Sequence, residues 1–168
     1  MSSTAYAMSD ADLMTLPASD PSESTWERQP RAETPRWTVV AEGSNKRVEL
    51  IFTQAPPSWS TAALQELIQL LELPPGWNSY RARRVEFDAV KHAADLLFNV
   101  ADHGTPRPAI VPTARGGVQL EWHGDDDIEI EVAPNGSVVF LSGDQEHEFA
   151  DPAQAISAIR RELQHTAL

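Results

Sequence analysis

The chain holds 168 residues, enough for one domain and an appendage. Asp and Glu number 25 against 13 Lys and Arg, a formal net charge of -12. That balance disfavours non-specific binding to nucleic acid or an anionic membrane, where cations must displace counterions. Cysteine is absent, which excludes disulfides, thiolate metal sites and cysteine nucleophiles. No apolar run approaches the ~20 residues of a membrane span.

The first residues, Met1-Ser2-Ser3-Thr4, carry neither a basic nor an apolar signal-peptide region. A cytoplasmic location is the expectation. Residues 1–35 contain Pro17, Pro21, Pro30 and Pro35 among many Ser, Thr, Asp and Glu. Leu13 and Leu16 are the only Leu there, with no Ile, Val or Phe. Such a stretch buries too little apolar surface to offset an ordering entropy of ~1–2 kcal/mol per residue. An acidic arm, disordered in the free protein, is expected. Within it, Ser9 to Leu16 reads as a short capped helix stopped by Pro17. Leu13, Met14 and Leu16 there form either a docking face for a partner or a chance apolar cluster.

From Arg36 a single domain is expected, running to residue 168. Trp37–Ala41 and Arg47–Phe52 read as a hairpin around Gly43-Ser44-Asn45. Pro56-Pro57 ends it, and Ser60 caps a helix through about Leu73, with Leu64, Leu67, Ile68 and Leu71 on one face. Pro74-Pro75-Gly76 stops that helix. A second helix is expected from about Glu86 to Ala101, with Val90, Ala93, Ala94, Leu97 and Ala101 as its stripe.

Residues 108–142 read as a β-meander. Val118, Leu120 and Trp122 alternate with Gln119, Glu121 and His123, and Ile128, Ile130 and Val132 alternate with Asp127, Glu129 and Glu131. Turning at Gly124-Asp125-Asp126 sets Trp122 against Ile128 and Val118 against Val132. Reading Asn135-Gly136 as a two-residue turn pairs Val132 with Val139 and Ile130 with Leu141. Asp151, Pro152 and Gln154 then open a last helix. Its core face is Ile156, Ile159 and Leu163, with Arg160 and Arg161 near its C-terminus. The fold class is therefore α+β. A mainly antiparallel sheet, built from an N-terminal hairpin and a C-terminal meander, packs with three helices.

Two segments carry a resemblance. Leu73-Pro74-Pro75-Gly76-Trp77-Asn78-Ser79-Tyr80 precedes a helix, and Ile110-Val111-Pro112-Thr113-Ala114-Arg115-Gly116-Gly117-Val118-Gln119-Leu120-Glu121-Trp122 opens the meander. Over roughly residues 73–142 the chain resembles a widespread group of small bacterial proteins. In that group a Gly-Trp-Asp loop is followed by a Pro-Thr…Gly-Gly-Val-Gln-Leu-Glu-Trp segment. The resemblance implies a shared fold and no chemistry. Asn78 stands where the group has Asp, and Arg81-Ala82-Arg83-Arg84 replaces a Gly/Ala/Pro-rich stretch. A carboxylate-dependent role for the loop is thereby put in doubt.

Enzyme motifs are missing: no nucleophile elbow, phosphate loop, dinucleotide fingerprint or zinc helix occurs. The His residues are scattered at 92, 103, 123, 147 and 165. Trp77 and Tyr80 read either as rings that lid the core or as anchors of a recognition loop. Arg81, Arg83, Arg84 and Lys91 form the one basic cluster, able to contact phosphate or to pair with Glu86 and Asp88. Residues 116–159 hold ten Asp and Glu and no Lys or Arg. The expected register sets Glu121 opposite Glu129, an unfavourable pairing of like charges, and His123 opposite Asp127.

This acidic face serves a basic partner, a divalent metal held by Glu121, His123, Asp127 and Glu129, or only solubility. The reading chosen is a non-enzymatic interaction protein, most concretely an antitoxin- or immunity-type neutraliser or adaptor. Glu121, Asp127, Glu129 and Glu131 are its partner-binding candidates. Trp77, Tyr80, Arg81, Arg83, Arg84, Leu13, Met14 and Leu16 are further ones. No catalytic residue, metal or cofactor is assigned. A small hydrolase or nucleotide-acting enzyme, and a self-associating assembly protein, are the alternatives.

Overall fold

The computed structural model describes residues 36–43, 45–124 and 127–166, all within the compact unit Thr34–Leu168. The arm with Leu13, Met14 and Leu16, and the turn residues Ser44, Asp125 and Asp126, lie outside the described residues. The described elements are α+β. Strands β1 (Trp37–Gly43) and β2 (Lys46–Phe52) form an antiparallel hairpin. Helix α1 (Ser60–Gln69) continues as a 3₁₀ turn, Leu70–Glu72, and helix α2 spans Phe87–Val100. Strands β3 (Ala109–Pro112), β4 (Val118–Trp122), β5 (Ile128–Val132), β6 (Val138–Ser142) and β7 (Gln145–Phe149) form one antiparallel sheet in sequence order. Helix α3 (Pro152–Thr166) closes the domain. No helix among the described residues is long and apolar enough to cross a membrane.

The core lies between the meander and the helices. Val118, Leu120, Trp122, Ile128, Ile130, Val132, Val138 and Phe140 are buried on the inner face. Helix α2 packs on β4 and β5, and α3 packs on β6 and β7. Because α2 also touches α1 and α3, it is buried well beyond one stripe: Ala89, Leu96 and Val100 join Val90, Ala93, Ala94 and Leu97. Helix α1 buries Ala63, Leu64, Leu67 and Ile68, and packs on β1. Ser60 is its first helical residue, one place later than a capping role requires. Its hydroxyl donates to the Pro57 carbonyl at 2.7 Å.

The β4–β5 register is the expected one, with Trp122 opposite Ile128, Leu120 opposite Ile130 and Val118 opposite Val132. The β5–β6 register is not. Val132 pairs with Val138 and Ile130 with Phe140, so Val139 and Leu141 face outward. Pro134 is the cause. Proline's fixed φ suits the first central position of a type I turn, which Ala133 and Gly136 close at 2.9 Å. Gly136 then takes the left-handed position at φ +86°. The result is a three-residue loop with a glycine bulge in place of a two-residue turn, and a one-residue slip exchanges the faces.

Strand β7 is a second departure from the sequence reading. The expected meander ends at residue 142, yet Gln145–Phe149 pairs along β6 as a further strand. The capping of α3 is as expected: the Gln154 amide N–H donates to Asp151 Oδ1 at 3.2 Å, and its side chain donates to Oδ2 at 2.7 Å. Arg160 also bonds outside its own helix. It donates to the Asn99 carbonyl in the last turn of α2, tying two helices together.

Two indole N–H groups fasten the α2–β3 connection. Trp59 donates to the Thr105 carbonyl at 3.0 Å and Trp122 to the Pro106 carbonyl at 2.8 Å. Trp122 is 6% exposed. Its replacement by Ala should cost about 3–5 kcal/mol in urea unfolding, as deletion of a buried large ring does. Trp122→Phe should cost clearly less, since it keeps most of the ring. A loss under ~1 kcal/mol for the Ala variant would contradict this packing.

Candidate functional site: an acidic sheet face and an arginine loop

The face of the meander turned away from α2 and α3 follows from strand pairing. One cross-strand row reads Ala109, Glu121, Glu129, Leu141, Glu146, and the next reads Val111, Gln119, Glu131, Val139, Glu148. Five glutamates and several aliphatic side chains share this face, and neither row contains Lys or Arg. Most of these side chains are half-buried by their neighbours, while Glu146 and Glu148 are exposed.

Glu121 stands directly opposite Glu129, as the alternation predicts. Gln119 relieves the repulsion. Its Nε2 donates to Glu121 Oε1 at 3.0 Å and to Glu129 Oε2 at 2.9 Å. His123 lies between two carboxylates, with Nε2 at 3.3 Å from Glu121 and Nδ1 at 3.5 Å from Asp127. The two ring nitrogens therefore serve different carboxylates. Among the described residues no three His, Asp or Glu side chains are arranged to hold a metal ion, although His123 touches both Glu121 and Asp127 of the suggested set Glu121, His123, Asp127 and Glu129.

The second feature is the loop between α1 and α2. Gly76 N–H donates to the Ala82 carbonyl at 2.8 Å, closing the loop. Asn78 Oδ1 accepts from the backbone N–H of Tyr80 at 2.9 Å and of Ala82 at 3.1 Å. A carboxylate oxygen at this position would offer the same acceptor. Trp77 is half-buried and donates to the Arg83 carbonyl at 3.3 Å. Tyr80 does not lid the core: it is 87% exposed. Ser79 and Arg81 on either side have φ of 65° and 67°, a conformation that costs a non-glycine residue about 1–3 kcal/mol.

The residues that follow this loop meet the β3–β4 turn. Arg83 N–H donates to the Ala114 carbonyl at 2.9 Å and Glu86 N–H to the Gly116 carbonyl at 3.0 Å. A Cβ on Gly116, at φ +88°, would come within 2.8 Å of the Arg84 carbonyl; one on Gly117 would come within 2.6 Å of the Val132 carbonyl. The Gly-Gly pair thus exists for close backbone approach. The contact brings Arg115 beside Arg83 and Arg84. Arg83 pairs with Glu86 at 2.7 Å. Arg81, Arg84 and Arg115 are exposed and join no ion pair among the described residues. Arg115 lines a small depression with Glu131 and Val139, so the arginine cluster borders the acidic face.

An open cleft of about 650 Å³ runs between the end of β2 and the C-terminus of α2, lined in part by Phe52, Phe98, Asp95, Asp102 and His103. Asp102 is committed to its own turn. Its Oδ1 accepts from Gly104 N–H at 2.9 Å, Thr105 N–H at 3.1 Å and the Thr105 hydroxyl at 3.0 Å. The Gly104 N–H, then the Thr105 hydroxyl, hold its carboxyl below the usual carboxylate range. This turn is therefore stabilised above the ordinary carboxylate pKa, and the contribution is lost as pH falls through the lowered one.

No protein-family model, curated protein or solved structure matches the chain significantly.

Asn78→Ala should lose about 1–2 kcal/mol in chemical unfolding, because two backbone donors lose their acceptor. Asn78→Asp should stay close to the parent. Equal losses in both variants would mean the side-chain oxygen does not hold the loop.

Proposed function

We propose that the protein is a non-enzymatic interaction module that binds a partner protein with a basic surface through the outer face of its meander. An antitoxin- or immunity-type neutraliser, acting in a bacterial cytoplasm, is the most concrete form of this reading. One observation carries it. Among the described residues no helix covers one face of the five-stranded sheet, and the two cross-strand rows on that face combine five glutamates with Val111, Val139 and Leu141 and hold no Lys or Arg.

Solubility alone is a poor account of the arrangement. Charge for solubility is cheapest where like charges are spread apart. Here Glu121 and Glu129 stand opposite each other and need Gln119 between them. A basic partner surface removes that repulsion, and electrostatic steering raises the association rate. The aliphatic side chains among the carboxylates supply apolar area at the centre of such a contact.

Changing Glu129 and Glu131 together to Lys should leave the fold intact and the melting temperature no lower than the parent's. The parent and the double variant are compared first in affinity capture from a host lysate, then in association kinetics with the purified partner. A basic protein held by the parent should associate more slowly with the variant, and with a weaker dependence on salt. Unchanged rate, affinity and salt dependence would contradict the reading.

A further inference from the structure

We propose that the Tyr80–Arg84 loop, with Arg115, is a second interaction surface, one that takes an acidic segment of a partner protein. It does not depend on the acidic-face reading, because it uses different residues and the opposite charge.

Little of the Tyr80–Val85 segment serves the fold. Ala82 and Val85 are the residues of this segment that enter the core. Tyr80, at 87% exposure, packs no interior. Arg81 holds a left-handed backbone conformation that Gly or Asn adopts with less strain. The fold therefore bears an exposed Tyr80 and a strained, exposed Arg81, and gains no packing from either.

The loop is nonetheless held firmly. Asn78 accepts from both Tyr80 and Ala82, Gly76 closes onto Ala82, and Arg83 is bonded to the β3–β4 turn. A rigid backbone presenting an exposed aromatic ring among arginines has the composition of interface anchors, and little ordering entropy is lost on binding.

The charge selects the occupant. Arg81, Arg84 and Arg115 are exposed without an ion pair among the described residues, whereas Arg83 is answered by Glu86. Carboxylates suit guanidinium groups through paired, charge-assisted hydrogen bonds. A nucleic acid suits the surface less well. Three cations neutralise few phosphates of an extended backbone, and Glu131 stands beside Arg115.

The test uses the full chain and two fluorescent probes of matched charge: a short Glu- and Asp-rich peptide and a single-stranded oligonucleotide. Anisotropy titrations at low ionic strength should show the peptide bound more tightly than the oligonucleotide. Combined Arg81→Ala, Arg84→Ala and Arg115→Ala should weaken peptide binding about tenfold or more. Tyr80→Ala should weaken it several-fold, and Arg83→Ala should change it little. Arg81→Gly guards against misfolding: it should raise or preserve the melting temperature while weakening binding. The proposal is overturned if the parent does not bind the peptide, if the arginine variants bind it as well as the parent, or if the oligonucleotide binds more tightly.

Discussion

Five antiparallel strands present two faces, and α2 and α3 cover one of them. The period-two alternation of β4 and β5 decides which. Every apolar residue from Val118 to Trp122 and from Ile128 to Val132 points to the helices, and every polar one points away. A single-residue slip between these strands would bury Glu121 or Glu129 and is forbidden by the cost of an unpaired buried charge. The same constraint that builds the core therefore collects the glutamates on one open surface. The edges of that surface are blunted as well. β3 is short, preceded by Pro108 and ending on Pro112, and β7 is laden with charge. The open face, rather than the sheet edges, is thus the part of the meander left available to a partner.

Much of this was legible in the sequence. The hairpin, three helices and the β4–β5 register follow from spacing, and the Glu121–Glu129 pair follows from the register. The β5–β6 register was misread because Asn135-Gly136 outweighed Pro134, although proline is what selects the turn. Strand β7 was missed because Gln145-Glu146-His147-Glu148 lacks β-branched residues; its pairing to β6 overrides that weak propensity. The bridge from Gln119 to two carboxylates, and the grip of Arg160 on α2, depend on side-chain reach, which spacing does not encode.

The loop shows a different limit. Its residues were singled out from the sequence, but Trp77 and Tyr80 could not be told apart there. The structure separates them: Trp77 donates inward to Arg83, while Tyr80 stands in solvent between two left-handed residues. Arg115 belonged to no sequence cluster. It joins Arg83 and Arg84 because Gly116 permits the β3–β4 turn to touch the loop backbone. Adjacent surfaces of opposite sign result, one set by strand alternation and the other by a loop–turn contact.

The central claim is that the outer face of the meander is where a partner sits. Carboxylate footprinting reads it directly, by coupling an amine to exposed Asp and Glu in the free chain and in its complex, followed by mass spectrometry. The account predicts that Glu129, Glu131, Glu146 and Glu148 are labelled in the free protein and protected together in the complex. Glu42, Glu49 and Glu72, exposed on the hairpin and at the end of α1, should be labelled equally in both. Unchanged labelling of the meander glutamates in a saturated complex would contradict the claim.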